Sequence, residues 1–133
     1  MKRYIFYVLL MMLIFSVGCS SDTAGTGSNV FRSISPSEAK DIMMKKSDLL
    51  VVDVRSPKEL KSGYIDGSVF IPIWEIAQGR KSLPADRPLL LVCAIGGRSY
   101  GLGKYLNEKG WPEIYNLSGG IAAWINAGLP LKY

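Results

Sequence analysis

The residues best equipped for chemistry sit together in Leu89-Leu90-Leu91-Val92-Cys93-Ala94-Ile95-Gly96-Gly97-Arg98-Ser99. An apolar run ends in a thiol, a loop with two glycines follows, and Arg98-Ser99 opens a segment of helical spacing. The pattern is a strand, a turn and a helix start, with Cys93 at the hinge. If the backbone curls between Cys93 and Arg98, successive N–H groups point inward and make a concave anion site, reinforced by the positive end of the following helix. Helix N-termini and nearby cations bring cysteine pKa values from about 8.5 down to roughly 3.5–7.5, and the thiolate is the nucleophile. Gly96 and Gly97 permit the positive φ and close backbone approach that a tight cradle needs. The competing reading makes Cys93 a small buried hydrophobe at the end of a core strand.

The elements that must position this loop follow from pattern. Ser35-Pro36-Ser37-Glu38 is a capping box with proline at the first helical position, and Ala39, Ile42 and Met43 continue it, predicting a helix over 36–46. The run Leu49-Leu50-Val51-Val52-Asp53-Val54 is a strand buried on both faces, as in a parallel sheet. Ser56-Pro57-Lys58-Glu59 repeats the capping signature for a short helix stopped by Gly63. Val69-Phe70-Ile71 is a short strand before Pro72. Trp74 to Gln78 makes a helical turn or two, with Trp74 and Ile76 expected in the core. Ala85-Asp86-Arg87-Pro88 is a turn into the Leu89–Cys93 strand. A helix then runs from Ser99 to Lys109 through Leu102 and Leu106, where Gly101 and Gly103 each cost about 1 kcal/mol relative to alanine and so imply close packing. Gly110 ends it, Ile114-Tyr115-Asn116-Leu117 is a further strand, and Ser118-Gly119-Gly120 leads to a last helix closed by Gly128-Leu129-Pro130. Strands alternating with helices predict an α/β fold, a parallel sheet flanked by helices on both faces. Ligands of such sheets sit beyond the carboxyl ends of strands, where Cys93 and Asp53-Val54-Arg55 both fall.

Ahead of this unit, Met1-Lys2-Arg3 and the twelve-residue apolar stretch Tyr4–Phe15 have the form of a secretory signal. The stretch is short for a spanning helix, which needs about 20 apolar residues. Phe15-Ser16-Val17-Gly18-Cys19 resembles the lipobox of bacterial lipoproteins, with Ser16 where leucine is usual. The resemblance implies a lipidated Cys19 at the mature N-terminus; a plain signal peptide or uncleaved anchor is the alternative. The chain thus divides into a leader over 1–18, a lipidated cysteine with a polar tether over 19–29, and a domain over 30–133. An exported protein, membrane-anchored on the extracytoplasmic side, is the expected product.

Composition excludes several classes. Hydrophobic residues make up 48% and charged residues 20% of the 133, enough for one ordinary globular core. The net charge of +5 includes Lys2 and Arg3 of the leader, and the other basic residues are scattered, so no nucleic-acid partner is expected. With no histidine, Ser-His-Asp and Cys-His catalysis are excluded; with two cysteines and no partner ligands nearby, so is a structural zinc site. No metal and no cofactor is expected.

Four stretches, in order, resemble the rhodanese-like family. Asp53-Val54-Arg55 is similar to its Asp-x-Arg. The segment from Glu59 through Gly63-Tyr64-Ile65-Asp66-Gly67-Ser68-Val69-Phe70 to Ile71-Pro72 is similar to its Glu-x-x-x-Gly-His-Ile-x-Gly-Ala-x-Asn-Ile-Pro motif. Cys93 to Ser99 is similar to Cys-x-x-Gly-x-Arg-Ser, and Gly119-Gly120-Ile121-Ala122-Ala123-Trp124 to Gly-Gly-x-x-Ala-Trp. The resemblance covers about 30–133 and implies a sulfurtransferase. Cys93 would accept a sulfane sulfur as a persulfide and pass it to a thiol or cyanide-like acceptor. Ala94, Ile95, Gly96 and Gly97 would cradle the outer sulfur through backbone N–H groups, and Arg98 would add positive charge near an anionic donor such as thiosulfate. Arg55 reaches the same rim either to touch substrate or to brace the loop through Asp53 or Glu59. Tyr64 and Phe70 replace the family's histidine and asparagine, implying altered packing. Ala94 and Ile95 make the loop apolar where thiosulfate enzymes often carry polar or basic side chains, which opens another persulfide donor.

Rival functions meet specific obstacles. Phosphatases of the same fold carry Cys-x5-Arg, one residue longer than this loop, and a smaller ring of amides suits a sulfur atom better than a phosphoryl group. A thioredoxin-like enzyme needs Cys-x-x-Cys, which is absent. The remaining alternative is a membrane-tethered binding module that keeps the fold without turnover.

Overall fold

A computed structural model describes residues 29–133. The expected leader, Cys19 and all of the tether before Asn29 lie outside the described residues. Five strands, β1 (Val30–Ile34), β2 (Leu50–Asp53), β3 (Val69–Phe70), β4 (Leu89–Val92) and β5 (Glu113–Leu117), form one sheet in the order β1-β5-β4-β2-β3, every pair parallel. Helices α1 (Pro36–Lys45), α2 (Pro57–Leu60), α3 (Ile73–Ala77), α4 (Gly97–Glu108) and α5 (Gly120–Asn126) make the connections.

Side chains alternate across a strand, so the central β4 serves two cores. Leu90 and Val92 pack with Ala39, Ile121 and Trp124 on the α1/α5 face, whereas Leu89, Leu91 and Cys93 pack with Leu102, Leu106 and half-buried Ile76 on the α3/α4 face. Both faces are therefore covered, as the apolar β2 and β4 runs require. Both capping boxes form: Glu38 accepts from the Ser35 N–H at 2.8 Å, and Glu59 from the Ser56 N–H at 2.8 Å.

The chain runs from β2 outward to β3, then crosses back to β4 and continues the other way to β5. This reversal opens a crevice at the carboxyl ends of β2 and β4. Asp53 is in register with Val92, and the Val54 N–H donates to the Val92 carbonyl at 2.9 Å, so Asp53–Arg55 and Cys93 share one rim.

Several expectations shift. Strand β1 has no counterpart among the elements the sequence pattern predicts; it is an edge strand whose Phe31 ring lies against Gly103, where an added Cβ would come within 2.5 Å. Gly101 has open space around it, so close packing explains Gly103 alone. Trp74 is exposed rather than core, because α3 turns it out while Ile73 and Ile76 face in. Helix α4 begins two residues early, at Gly97. Tyr64 pairs by backbone with Lys132, donating and accepting at 2.8 Å, and ties down the C-terminus.

Candidate active site

Strand β4 delivers Cys93 to the rim, and Gly96 turns the chain back with φ +92° as the N-cap of α4. A side chain at Gly96 would meet the Gly119 nitrogen at 2.9 Å, so both backbone angle and space call for glycine there. The curl puts the Cys93 Sγ inside the turn, where it accepts from the Gly96 N–H at 3.1 Å and lies 3.3 Å from the Ser99 hydroxyl. Cys93 has no exposed surface, so the loop closes over the sulfur. Burial pushes the thiol's pKa up, but the Ser99, Ile95 and Gly96 hydrogen bonds outweigh it, and the net shift is downward.

The loop's carbonyls are held from the other side. Helix α5 begins at Gly120, and its free N–H groups reach back: Ile121 donates to the Cys93 carbonyl at 2.9 Å and Ala122 to the Ala94 carbonyl at 3.0 Å. Gly120 has φ +58°, and a Cβ there would lie 2.3 Å from the Cys93 oxygen. The Gly-Gly box thus lets a helix N-terminus grip the loop carbonyls, which leaves loop N–H groups free for the sulfur.

Ser99 is fully buried, and its hydroxyl also contacts the Asn116 Oδ1 at 2.6 Å. The Asn116 Nδ2 in turn donates to the Ser33 hydroxyl at 3.0 Å. A hydroxyl has one proton for Sγ, Oδ1 and the Gly96 carbonyl at 3.2 Å, so Asn116 and Gly96 compete with the sulfur for it. In the sequence Asn116 is a strand position, and its polar side chain inside Ile114-Tyr115-Asn116-Leu117 is the one signal that sets it apart.

The two arginines divide in role. Arg55 was expected either to touch substrate or to brace, and it braces. Its guanidinium is 2% exposed, with Nε at 3.0 Å and Nη2 at 2.8 Å from the Asp53 carboxylate. It also donates to the Gly63 carbonyl at 2.7 Å and the Glu59 carbonyl at 3.2 Å. A planar fork engaged on this many sides holds Asp53 and the α2 segment together, the bracing arrangement of the two expected for Arg55. Arg98 stays at the partly open rim, paired in bidentate fashion with Glu59, Nη2 to Oε1 at 2.5 Å and Nη1 to Oε2 at 3.1 Å. That pair holds the Glu59 carboxyl down to about 2, against a smaller upward push from burial. Glu59 likewise raises Arg98, with the Cys93 sulfur acting in the same direction. Glu59 was foreseen as a possible partner of Arg55; its carboxylate serves Arg98 instead.

Ala94 is half-buried and Ile95 is 75% exposed at the apex of the loop, and Gly97 opens α4. Chemically the assembly is a buried sulfur with a lowered pKa, an amide and a hydroxyl on it, and a paired cation beside it.

Residues 35–127 match the model of the rhodanese-like domain. The chain is 38% identical over 84 residues to a sulfurtransferase of Allochromatium vinosum, covering 63% of this chain and 78% of that protein. It is 32% identical over 94 residues to the thiosulfate sulfurtransferase GlpE of Pseudoalteromonas translucida, covering 71% and 89%. The crystal structure of a rhodanese-related protein from Thermoplasma volcanium superposes with a TM-score of 0.66 at 34% identity, covering 76% of this chain and 97% of that one. With the parallel sheet and the cysteine loop at its switch point, these similarities lead to one conclusion: the chain belongs to the rhodanese-like domain family.

Proposed function

We propose that the protein is a sulfurtransferase that carries a sulfane sulfur on Cys93. The observation that carries this reading is the Cys93 Sγ held inside its own loop by the Gly96 N–H at 3.1 Å, beside the Ser99 hydroxyl. An anion is favoured there, and the thiolate is the attacking form. The thiolate attacks the outer sulfur of thiosulfate or of a persulfide donor. As the Sγ–S bond forms, the donor's S–S bond breaks and its electron pair leaves on sulfite or on a thiolate. Cyanide or an acceptor thiol then takes the outer sulfur and returns Cys93 to its starting state. Because Cys93 is fully buried, each exchange needs the five residues after it, or the thiol's own rotamer, to move aside.

That burial is also the observation that favours the second reading, a binding module without turnover. One experiment separates them. The purified chain is incubated with thiosulfate or a persulfide donor, its intact mass is taken, and cyanide is added. The sulfurtransferase gains one sulfur atom, releases it as thiocyanate, and loses both behaviours in Cys93→Ser; a chain that takes sulfur from no donor is the binding module.

We further propose that the protein is exported and anchored through a lipid on Cys19. The support is in the sequence: a basic start, a short apolar stretch, small residues before Cys19, and a polar tether. In the native host the protein then fractionates with membranes, and Cys19→Ala releases or misprocesses it; a cytosolic wild type overturns the assignment.

A further inference from the structure

The cation beside the sulfur is not free. Both oxygens of Glu59 engage Arg98, and the same carboxylate accepts from the Ser56 N–H at 2.8 Å and hydroxyl at 2.7 Å, which fixes it in place. The hydrogen bonds from Arg98 hold the Glu59 carboxyl down to about 2, well below its ordinary range. The other rim arginine, Arg55, is buried against Asp53. Each of these two guanidiniums thus meets its own carboxylate, which offsets the positive charge an incoming anion finds beside a Cys93 that is itself negative when it attacks. A dianion approaching such a site gains less from Arg98 than it would from an unpaired cation. At the loop apex, Ile95 instead offers an exposed apolar surface, and Ala94 adds no charge.

Resting on the sulfurtransferase reading above, we infer that Glu59 sets donor specificity: by neutralising Arg98 it turns the site from thiosulfate towards organic persulfides, R–S–SH, whose R group lies against Ile95. The step balances without an oxidant. The Cys93 thiolate attacks the outer sulfur, the Sγ–S bond forms, and the donor S–S bond breaks with its electron pair leaving on R–S⁻. That thiolate takes the proton of the new persulfide and departs as R–SH. Glu59 is a positioning residue here; it acts only through the charge it leaves on Arg98.

The test compares kcat/KM for thiosulfate and for the persulfide of N-acetylcysteine amide, whose R group is uncharged, in the full chain at low and at high salt. Glu59→Gln removes the charge while glutamine still completes the capping box. Ile95→Lys adds an unpaired cation at an exposed position where no packing is lost. The wild type is expected to prefer the persulfide by at least about tenfold, and each variant to narrow that preference by about five- to tenfold through a lower KM for thiosulfate. The gain disappears at high salt, a dependence that a merely structural role would not create. Should Glu59→Gln fail to fold, Ile95→Lys carries the comparison. Thiosulfate used as well as the persulfide by the wild type, or an unchanged ratio in the variants that fold, overturns this inference alone. Transfer from neither donor overturns the sulfurtransferase reading with it.

Discussion

Replacing Gly120 by alanine probes how the sulfur loop is held. The added Cβ would lie 2.3 Å from the Cys93 carbonyl oxygen, 2.6 Å from the Ala94 carbonyl carbon and 2.7 Å from its oxygen, all backbone atoms that no rotamer can move aside. Restoring van der Waals separation takes a retreat on the order of 1 Å. That retreat stretches the Ile121 and Ala122 hydrogen bonds to the loop, now 2.9 and 3.0 Å, each contributing about 1 kcal/mol. Alanine at φ +58° adds about 1–2 kcal/mol of strain. Destabilisation of about 3–4 kcal/mol is expected, or a smaller loss if the loop yields. A loop displaced by that distance should slow sulfur transfer by on the order of a hundredfold. Urea unfolding followed by circular dichroism and steady-state sulfur transfer measure the two effects. Gly101→Ala is the control, since its Cβ meets nothing within 4 Å; it should stabilise the chain by about 1 kcal/mol and leave transfer unaltered. Wild-type stability and turnover in Gly120→Ala would refute the claim that the α5 N-terminus holds the loop.

Three further outcomes follow from the polar groups around the loop. Arg55→Met strands the Asp53 carboxylate in the core and should cost about 3–5 kcal/mol in urea unfolding; a loss below about 1 kcal/mol would mean the pair is not the brace described. Ser99→Ala removes a hydrogen bond that helps lower the Cys93 pKa, so the pH midpoint for iodoacetamide alkylation, followed at Cys93 by peptide mass, should rise; an unmoved midpoint contradicts the role given to Ser99. Glu59 has a depressed carboxyl in the folded chain, about 2 against an ordinary 4.5, so its contribution is complete above pH 4.5 and is lost as pH falls towards 2. With the pair about a third exposed, solvent screening reduces that contribution to about 1 kcal/mol, and Glu59→Gln should flatten this part of the stability–pH curve.

Local signals carried much of the fold. The two Ser-Pro-x-Glu boxes located α1 and α2 because capping is decided within four residues, and the apolar runs of β2 and β4 are what a sheet covered on both faces demands. Strand β1 was harder to see, since Val30-Phe31-Arg32-Ser33-Ile34 pairs on one side only and keeps Arg32 and Ser33 exposed. The start of α4 is masked by Gly97, a poor helix former that nevertheless opens the helix, while Gly96 alone makes the turn with positive φ. At the site, Cys93 and its glycines are contiguous and legible. The Glu59–Arg98 pair joins residues 39 positions apart, and Asn116 meets Ser99 across β5 and α4; nothing local specifies either meeting. Arg55 was ambiguous for a related reason: spacing put it at the rim, but only the packed structure shows its donors turned to Asp53, Glu59 and Gly63.

The most direct test is the intact mass of the full chain after exposure to thiosulfate and, separately, to an organic persulfide, with the modified residue identified by peptide mass. One added sulfur atom on Cys93, removed by cyanide and absent from Cys93→Ser, is the predicted result. A wild-type mass that neither donor changes, under conditions where Cys93 can still be alkylated, would contradict it.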